Sequence, residues 1–179
     1  MKKLIILDID ETLIHATENK LEREPDFESE LYYVYKRPYV HEFIEFCFAH
    51  FSVAVWTTAG DKFADHVVTN LFENDKRLEF VWSRNRCTPI FERELHEHGH
   101  LKNLAKVKKK GFPLEHVIMI DDTPSKLRKS YGNLVRVNEF VGDPKDNELL
   151  ILMKYLKDLK SEENIRKVEK RGWQNKYMA

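Results

Sequence analysis

Short apolar runs that end at a polar residue constrain the fold of this chain most strongly. Three of them stand out: Leu4–Leu7 before Asp8, Val53–Val55 before Trp56 and Thr57, and Val117–Ile120 before Asp121. Unbroken apolar runs of this length are typical of strands that are buried on both faces of a parallel sheet. Stretches with helical periodicity separate the runs, and this alternation predicts an α/β fold with a parallel central sheet.

The predicted elements follow this alternation along most of the chain. We expect strands near residues 3–7, 52–56, 79–82, 117–120 and 134–137, and helices near 38–50, 60–74, 100–110, 124–130 and 145–159. Three segments fall outside the pattern: an acidic loop or flap at 16–30 that leads into a short strand or hairpin arm at 31–35, a polar insertion at 84–100, and a charged tail at 161–179. Neither the segment at 16–30 nor the one at 84–100 is long enough to form a domain that covers the site. We therefore expect an open site.

Length and composition indicate one domain and exclude several function classes. The 179 residues predict a single domain over 1–160 followed by a charged helical tail over 161–179. The 30 basic and 30 acidic residues cancel, so net charge favours neither nucleic acid nor an anionic membrane. Two cysteines supply no disulfide framework. No apolar stretch approaches the ~20 residues that span a bilayer, and the N-terminal apolar run is too short for a signal peptide. We expect a cytoplasmic protein.

Carboxylates follow two of the predicted strands. In an open parallel sheet, ligands bind beyond the carboxyl ends of the strands, so these side chains should meet. Asp8 and Asp10 are two residues apart, and two neighbouring carboxylates can act as nucleophile and as general acid and base. Asp121 and Asp122 would repel each other without a nearby cation, and Mg²⁺ prefers oxygen ligands. The set is typical of a magnesium-dependent phosphoryl-transfer site.

Two further residues gain weight from the aspartates. Thr57 follows its strand directly, and Lys102 lies at the start of a predicted helix, so both could contact a phosphate. The alternating histidines of 96–100 resemble a zinc site but lack a nearby cysteine, which favours a solvated loop. The lysines of 106–110 resemble a nucleic-acid patch, yet they more simply place cations at a helix C-terminus.

The ordered motifs resemble one family. The resemblance covers roughly residues 4–156 and is to the haloacid dehalogenase (HAD) superfamily, and within it to the FCP/SCP-like (NIF-like, C-terminal-domain small phosphatase) family. The motifs that carry it are Asp8-Ile-Asp-Glu-Thr-Leu13, Tyr35-Lys-Arg-Pro-Tyr-Val-His-Glu-Phe43, Trp56-Thr-Thr-Ala59, Cys87, His100-Leu-Lys-Asn-Leu104 and Ile120-Asp-Asp-Thr-Pro124. The resemblance implies a HAD-like Rossmannoid three-layer fold with no large cap domain.

The resemblance also implies roles for five residues. Asp8 would be the nucleophile that takes the phosphoryl group. Asp10 would be the general acid that protonates the leaving oxygen and later activates water. Thr57, Thr58 and Lys102 would bind the oxygens of the substrate's phosphate.

The implied metal is Mg²⁺. Asp8, the backbone carbonyl of Asp10 and Asp122 would hold it, with Asp121 in support. Two features differ from the family pattern: eukaryotic members often carry Asn at the place of Asp122, and the insertion at 84–100 is polar rather than apolar. A phosphoprotein is the implied substrate. A polynucleotide end, a small phosphate ester and a non-catalytic binding role stay open as alternatives.

Overall fold

The computed structural model describes residues 2–72, 77–92 and 97–177 of the chain. Its strands are β1 Leu4–Leu7, β2 Ile14–Thr17, β3 Phe27–Glu28, β4 Tyr33–Lys36, β5 Ser52–Trp56, β6 Leu78–Trp82, β7 Thr88–Glu92, β8 Glu97–Leu101, β9 Val117–Asp121 and β10 Leu134–Arg136. Its α-helices are α1 Val40–His50, α2 Asp61–Leu71, α3 Ala105–Lys109, α4 Glu148–Leu159 and α5 Trp173–Tyr177.

The central sheet has five parallel strands in the order β10-β9-β1-β5-β6. The strand β1 lies in the middle, where Leu7 is in register with Val55 of β5 and Ile120 of β9. All four residues of β1 are buried, as its unbroken apolar sequence predicts. The parallel α/β fold is confirmed, and the carboxyl ends of β1, β5 and β9 lie side by side.

Side chains of the central strands alternate between two apolar cores. Ile5 and Leu7 belong to a core that includes buried residues of α1, α2 and α4. Leu4 and Ile6 point the other way and belong to a core that includes Val107 of α3. Successive strand residues face opposite sides of a sheet, so the two cores lie on opposite faces. Since each core includes residues of helices, helices cover both faces. The three-layer arrangement is confirmed.

The acidic segment at 16–30 is not only a loop. Ile14–Thr17 pairs antiparallel with Tyr33–Lys36, and Phe27–Glu28 adds a third strand. The polar and acidic composition of the segment concealed these strands, because two of them are short and neither forms a continuous apolar run. Ile14 and Val34 are fully buried there.

The predicted helix over 100–110 is wrong at its beginning. Thr88–Glu92 and Glu97–Leu101 form an antiparallel hairpin, so residues 97–101 belong to a strand and α3 begins only at Ala105. Lys102 lies between them, and its N–H donates to the carbonyl of Lys126 at 2.8 Å. The predicted helix over 124–130 is a 3₁₀ turn at Pro124–Leu127.

The segment after α4 does not continue as one helix. It contains a 3₁₀ turn at Ile165–Lys167 and the short helix α5, separated by Gly172 with a positive φ of 64°. Trp173 stacks on Tyr155 of α4 with ring centroids 5.1 Å apart, and its indole N–H donates to the carbonyl of Arg136 at 2.7 Å. The segment thus packs on the domain. The domain boundary at residue 160 stays a prediction. Among the described residues, no helix combines the length and apolar character needed to cross a bilayer.

Replacing Trp173 by Ala should lower the free energy of unfolding by about 3–5 kcal/mol, since a buried ring and its stacking partner are lost. Trp173→Phe should cost less, because it keeps an apolar ring and loses about 1 kcal/mol of hydrogen bonding. Urea unfolding of both variants measures the difference. A loss below about 1 kcal/mol for Trp173→Ala would mean that the C-terminal segment unfolds independently of the domain.

Candidate active site

The candidate site lies at the carboxyl edge of the central sheet, where three neighbouring strands end. Asp8 directly follows β1, Thr57 directly follows β5, and Asp121 is the last residue of β9. The side chains of all three are fully buried. The backbone N–H of Asp8 donates to the carbonyl of Ile120, which continues the parallel pairing by one residue. Asp8, Thr57 and Asp121 therefore lie at the ends of adjacent strands, as predicted.

Lys102 joins the strand ends from the hairpin side. Its Nζ lies 2.7 Å from Oδ1 of Asp8 and 2.6 Å from Oδ2 of Asp121, and its side chain is fully buried. A buried ammonium would be costly without a partner, and two carboxylates compensate it. Lys102 thus forms an ion pair with each of the two buried carboxylates.

Lys126 is a site residue that the sequence analysis missed. Its Nζ lies 3.2 Å from Asp8 Oδ2, 3.8 Å from Asp121 Oδ1 and 3.9 Å from Asp122 Oδ1. Burial opposes a charge on Lys126, but the three aspartates outweigh it and raise the pKa of the amine above its usual value. The sequence signal that could have identified it is its position four residues after Asp122. The predicted helix over 124–130 obscured it, because a 3₁₀ turn brings its side chain back to the strand end.

Asp10 lies on a tight loop after β1 and is hydrogen-bonded to Thr57, whose Oγ1 donates to Asp10 Oδ2 at 2.9 Å. The loop is closed by Leu13, whose N–H donates to the carbonyl of Ile9 at 2.8 Å. Glu11 within the loop has a positive φ of 56°. Burial, followed by the charge of Asp8, raises the pKa of Asp10 above its usual value, and Thr57 and the lysines oppose this only in part.

The pKa values of Asp8 and Asp10, the two carboxyls that follow β1, are therefore shifted in opposite directions. Burial alone would raise the pKa of Asp8, but the positive charges of Lys102 and Lys126 overcome it and lower the pKa. Asp10 has no such ion pair and retains its proton more readily. Two carboxyls with opposite shifts can act as an ionised nucleophile and a protonated general acid.

The ion pair between Arg37 and Asp146 contacts the loop that carries Asp10. Arg37 is buried, and its guanidinium donates two hydrogen bonds of 2.8 Å to the carboxylate of Asp146 and one of 3.1 Å to the carbonyl of Thr12. The backbone N–H of Phe140 donates to the carbonyl of Glu11 at 2.8 Å. The sequence contained Arg37 in a motif but gave no indication of Asp146, which is distant in the chain.

Three carboxylates could hold a metal ion. Asp8, Asp121 and Asp122 each place one oxygen within 4.8 Å of the others, and no other group of three or more metal-binding side chains occurs in the described part of the chain. The donors are all oxygens, which suits Mg²⁺. Of the predicted ligands, Asp10 contributes no side-chain oxygen to this group, and the expected role of its backbone carbonyl stays a prediction. The histidine alternative involves His98 and His100 on β8, with His96 outside the described residues.

The two predicted phosphate-binding threonines differ in burial, since Thr57 is fully buried and Thr58 is half-buried. The Oγ1 of Thr57 also accepts the N–H of Ala59 at 2.9 Å, so this hydroxyl is fixed from both sides. Thr58 is half-buried next to it, and its carbonyl accepts a bond of 2.8 Å from the guanidinium Nε of Arg84. Arg84 is exposed, so a cation lies at the rim of this loop.

The sequence of this chain is similar to a known protein family and to individual members of it. The family described as NLI interacting factor-like phosphatase matches residues 3–166. Phosphatase PSR1 of Saccharomyces cerevisiae is 31% identical over 166 residues, which is 88% of this chain and 36% of that protein. CTD small phosphatase-like protein 1 of Caenorhabditis elegans is 32% identical over 167 residues, which is 88% of this chain and 32% of that protein. The chain thus spans about a third of the length of these two relatives.

Solved structures with the same fold are more distant in sequence. The structure of Fcp1, described as an essential RNA polymerase II CTD phosphatase, superposes with a TM-score of 0.60 at 18% identity, over 93% of this chain and 52% of that one. An uncharacterised protein of Listeria monocytogenes gives a TM-score of 0.56 at 16% identity, over 89% of this chain and 99% of that one. These likenesses support the fold.

Replacing Arg37 by Ala should lower the free energy of unfolding by about 3–5 kcal/mol, because it leaves a mostly buried carboxylate without its partner. Denaturant unfolding measures this loss. Lys20→Ala is the control, since Lys20 pairs with Glu24 at the exposed surface, and its unfolding midpoint should not change. Equal stabilities of the two variants would show that the Arg37–Asp146 pair does not hold the loop.

Proposed function

The chain belongs to the NLI interacting factor-like phosphatase family, and on this premise we propose that it is a Mg²⁺-dependent phosphatase that hydrolyses phosphomonoesters through an aspartyl-phosphate on Asp8. The observation that carries the proposal is the pair of carboxyls after β1. Asp8 has a lowered pKa and Asp10 a raised pKa. A nucleophile must be ionised and a general acid must carry a proton at the same time, and the opposite pKa shifts of Asp8 and Asp10 favour these two states.

In the first step a carboxylate oxygen of Asp8 attacks the phosphorus, and the bond from phosphorus to the ester oxygen breaks. Asp10 gives its proton to the leaving oxygen. Thr57 holds Asp10 in place by the 2.9 Å hydrogen bond, so the proton is presented from a fixed position. The products of this step are the free alcohol, an acyl phosphate on Asp8 and an ionised Asp10.

In the second step a water molecule attacks the phosphorus of the acyl phosphate. Asp10, now a carboxylate, accepts a proton from the water, and the bond between phosphorus and Asp8 breaks. Inorganic phosphate leaves, and both carboxyls return to their initial state. Because one group first donates a proton and then accepts one, the cycle needs no further acid or base.

Charge on the phosphoryl group is offset by nearby cations. Lys102 lies 2.7 Å from Asp8 Oδ1 and is therefore placed to bind an oxygen of the group that Asp8 receives. Asp8, Asp122 and the Asp10 carbonyl would hold Mg²⁺, with Asp121 in support. When bound, the ion would polarise the phosphoryl oxygens and stabilise the charge that develops on them. Thr58 remains a proposed partner of the phosphate from the β5 side, and Thr57 remains one with the condition that its hydroxyl, which has a single proton, exchanges its bond to Asp10 for one to a phosphate oxygen.

A phosphorylated protein, at Ser or Thr, is the substrate class that we favour. The relatives include a CTD small phosphatase-like protein, and Fcp1 is described as a CTD phosphatase of RNA polymerase II. The exposed Arg84 beside Thr58 would supply a cation for the surroundings of the phosphate. The polynucleotide end and the small phosphate ester become outcomes of the substrate test, and a cytoplasmic location stays a prediction.

Asp8→Asn should abolish turnover of an aryl phosphate while the fold is kept, since an amide of similar shape is a poor nucleophile. Asp10→Asn should slow hydrolysis of substrates with poor leaving groups by about 10²–10⁴-fold. Steady-state assays and circular dichroism measure both, with the surface variant Asp65→Asn as control. Wild-type turnover by a folded Asp8→Asn protein would exclude Asp8 as the nucleophile.

Removal of divalent ions should stop turnover, and added Mg²⁺ should restore it, because the carboxylate cluster needs a cation beside the transferred charge. Asp122→Asn should raise the Mg²⁺ concentration for half-maximal activity by about tenfold or more, since one ionised ligand is lost. Titrations of activity with Mg²⁺ after chelation measure both effects. Full activity in excess chelator would refute the metal assignment.

A phosphopeptide should have a higher kcat/KM than sugar phosphates or free nucleotides, because an open site must obtain its binding energy from remote parts of the substrate. Side-by-side kinetics on phosphopeptides, oligonucleotides with a terminal phosphate and small esters measure this. A tenfold advantage for an oligonucleotide end would identify the alternative substrate class. The same advantage for a small ester would contradict the open-site argument.

A further inference from the structure

The ammonium of Lys126 lies within the carboxyl groups that could hold a metal ion. Its Nζ is 3.2 Å from an oxygen of Asp8, 3.8 Å from one of Asp121 and 3.9 Å from one of Asp122. These are the same three side chains whose oxygens lie within 4.8 Å of one another. One lysine therefore contacts every member of the cluster.

The backbone at Lys126 is fixed by the site itself. Its carbonyl accepts the N–H of Lys102 at 2.8 Å, and its own N–H donates to the carbonyl of Thr123 at 3.2 Å. Thr123 in turn donates its N–H to Asp121 Oδ1 at 2.9 Å. The base of the side chain is thus tied to the end of β9, whereas its four methylenes leave the ammonium free to move.

The two lysines of the site differ in their access to solvent. The side chain of Lys102 is fully buried, but that of Lys126 is 20% exposed. Lys102 faces Asp8 Oδ1 and Asp121 Oδ2, while Lys126 faces the opposite oxygen of each carboxylate. Lys126 can therefore leave the cluster towards water, and Lys102 cannot do so without opening the core.

The charges of the cluster make a divalent ion and the ammonium of Lys126 competitors. When all three carboxyls are ionised they carry three negative charges, and the two ammonium groups, which contact them at 2.6 to 3.9 Å, offset two of these. A divalent ion on the same carboxylates would share them with Lys126, and like charges at this separation repel strongly in a partly buried site. The ion and the ammonium cannot both keep the cluster as their partner at low cost.

We propose that Lys126 is a tethered counter-ion that competes with Mg²⁺ for Asp8, Asp121 and Asp122. Binding of the ion displaces the ammonium towards solvent, so the site binds Mg²⁺ more weakly than three carboxylates alone would. The inference rests on the metal site of the proposed function, and it assigns to Lys126 the role of setting the Mg²⁺ concentration at which that site fills.

The test is calorimetric titration of the full chain with Mg²⁺ in the absence of any substrate. Lys126→Met keeps the length of the side chain and removes its charge, so it should bind Mg²⁺ about tenfold or more tightly than the wild type. Lys126→Arg keeps the charge and should not gain affinity. Lys129→Met is the matched control, because Lys129 is an exposed lysine of the same segment, and it should bind like the wild type.

Thermal unfolding supplies a second readout. Without divalent ions, Lys126→Met should melt below the wild type, since the carboxylates lose a counter-charge, and Mg²⁺ should raise its melting temperature by more than it raises that of the wild type. A Lys126→Met protein that stays unfolded even with saturating Mg²⁺ would make Lys126 a structural residue and overturn the competition.

The outcomes separate this inference from the proposed function. Equal or weaker Mg²⁺ affinity in Lys126→Met overturns the competition, whether or not the wild type is an active phosphatase. Absence of Mg²⁺ binding in both proteins overturns the competition together with the metal assignment. Tighter binding in Lys126→Met supports the competition even if no phosphatase activity is found, because the titration contains no substrate.

Discussion

The concentration of negative charge at one edge of a parallel sheet is the constraint on which this molecule depends. Parallel pairing brings the ends of β1 and β9 side by side and leaves Asp8 and Asp121 in a fully buried position. Burial of two carboxylates is unfavourable unless cations accompany them. The hairpin before Lys102 and the turn that carries Lys126 both end at this edge, so two elements outside the sheet place the compensating charge.

The same charges create chemical asymmetry between neighbouring carboxyls. Asp8 contacts both ammonium groups, whereas Asp10 is half-buried beside the charge of Asp8 and is bonded to a neutral hydroxyl. Their proton affinities separate for this reason, although they are only two residues apart. The proposed chemistry thus depends on the surroundings of the two groups rather than on their residue type, and Arg37, paired with Asp146, is bonded to their loop at the carbonyl of Thr12.

The sequence predicted those parts of the molecule that local patterns determine. Unbroken apolar runs identified the three inner strands β1, β5 and β9, because strands that are buried on both faces are apolar at every position, and the residues after these runs identified Asp8, Thr57 and Asp121. The hairpin before Lys102 was missed, since antiparallel strands in a polar segment have no continuous apolar signal. The contacts of Lys126 depend on a turn type and on packing between distant segments, which no single stretch of sequence encodes.

The docking of Trp173 and Gln174 has a consequence for how these molecules behave towards one another. The strand β10 is an outer strand of the central sheet, and such a strand can template pairing with a strand from another molecule. Both side chains donate hydrogen bonds to the carbonyl of Arg136, at 2.7 and 3.2 Å. They occupy a carbonyl of β10 that the backbone of an incoming strand would use as an acceptor. Loss of these two hydrogen bonds would therefore free this acceptor for pairing with a strand of another chain, which favours aggregation.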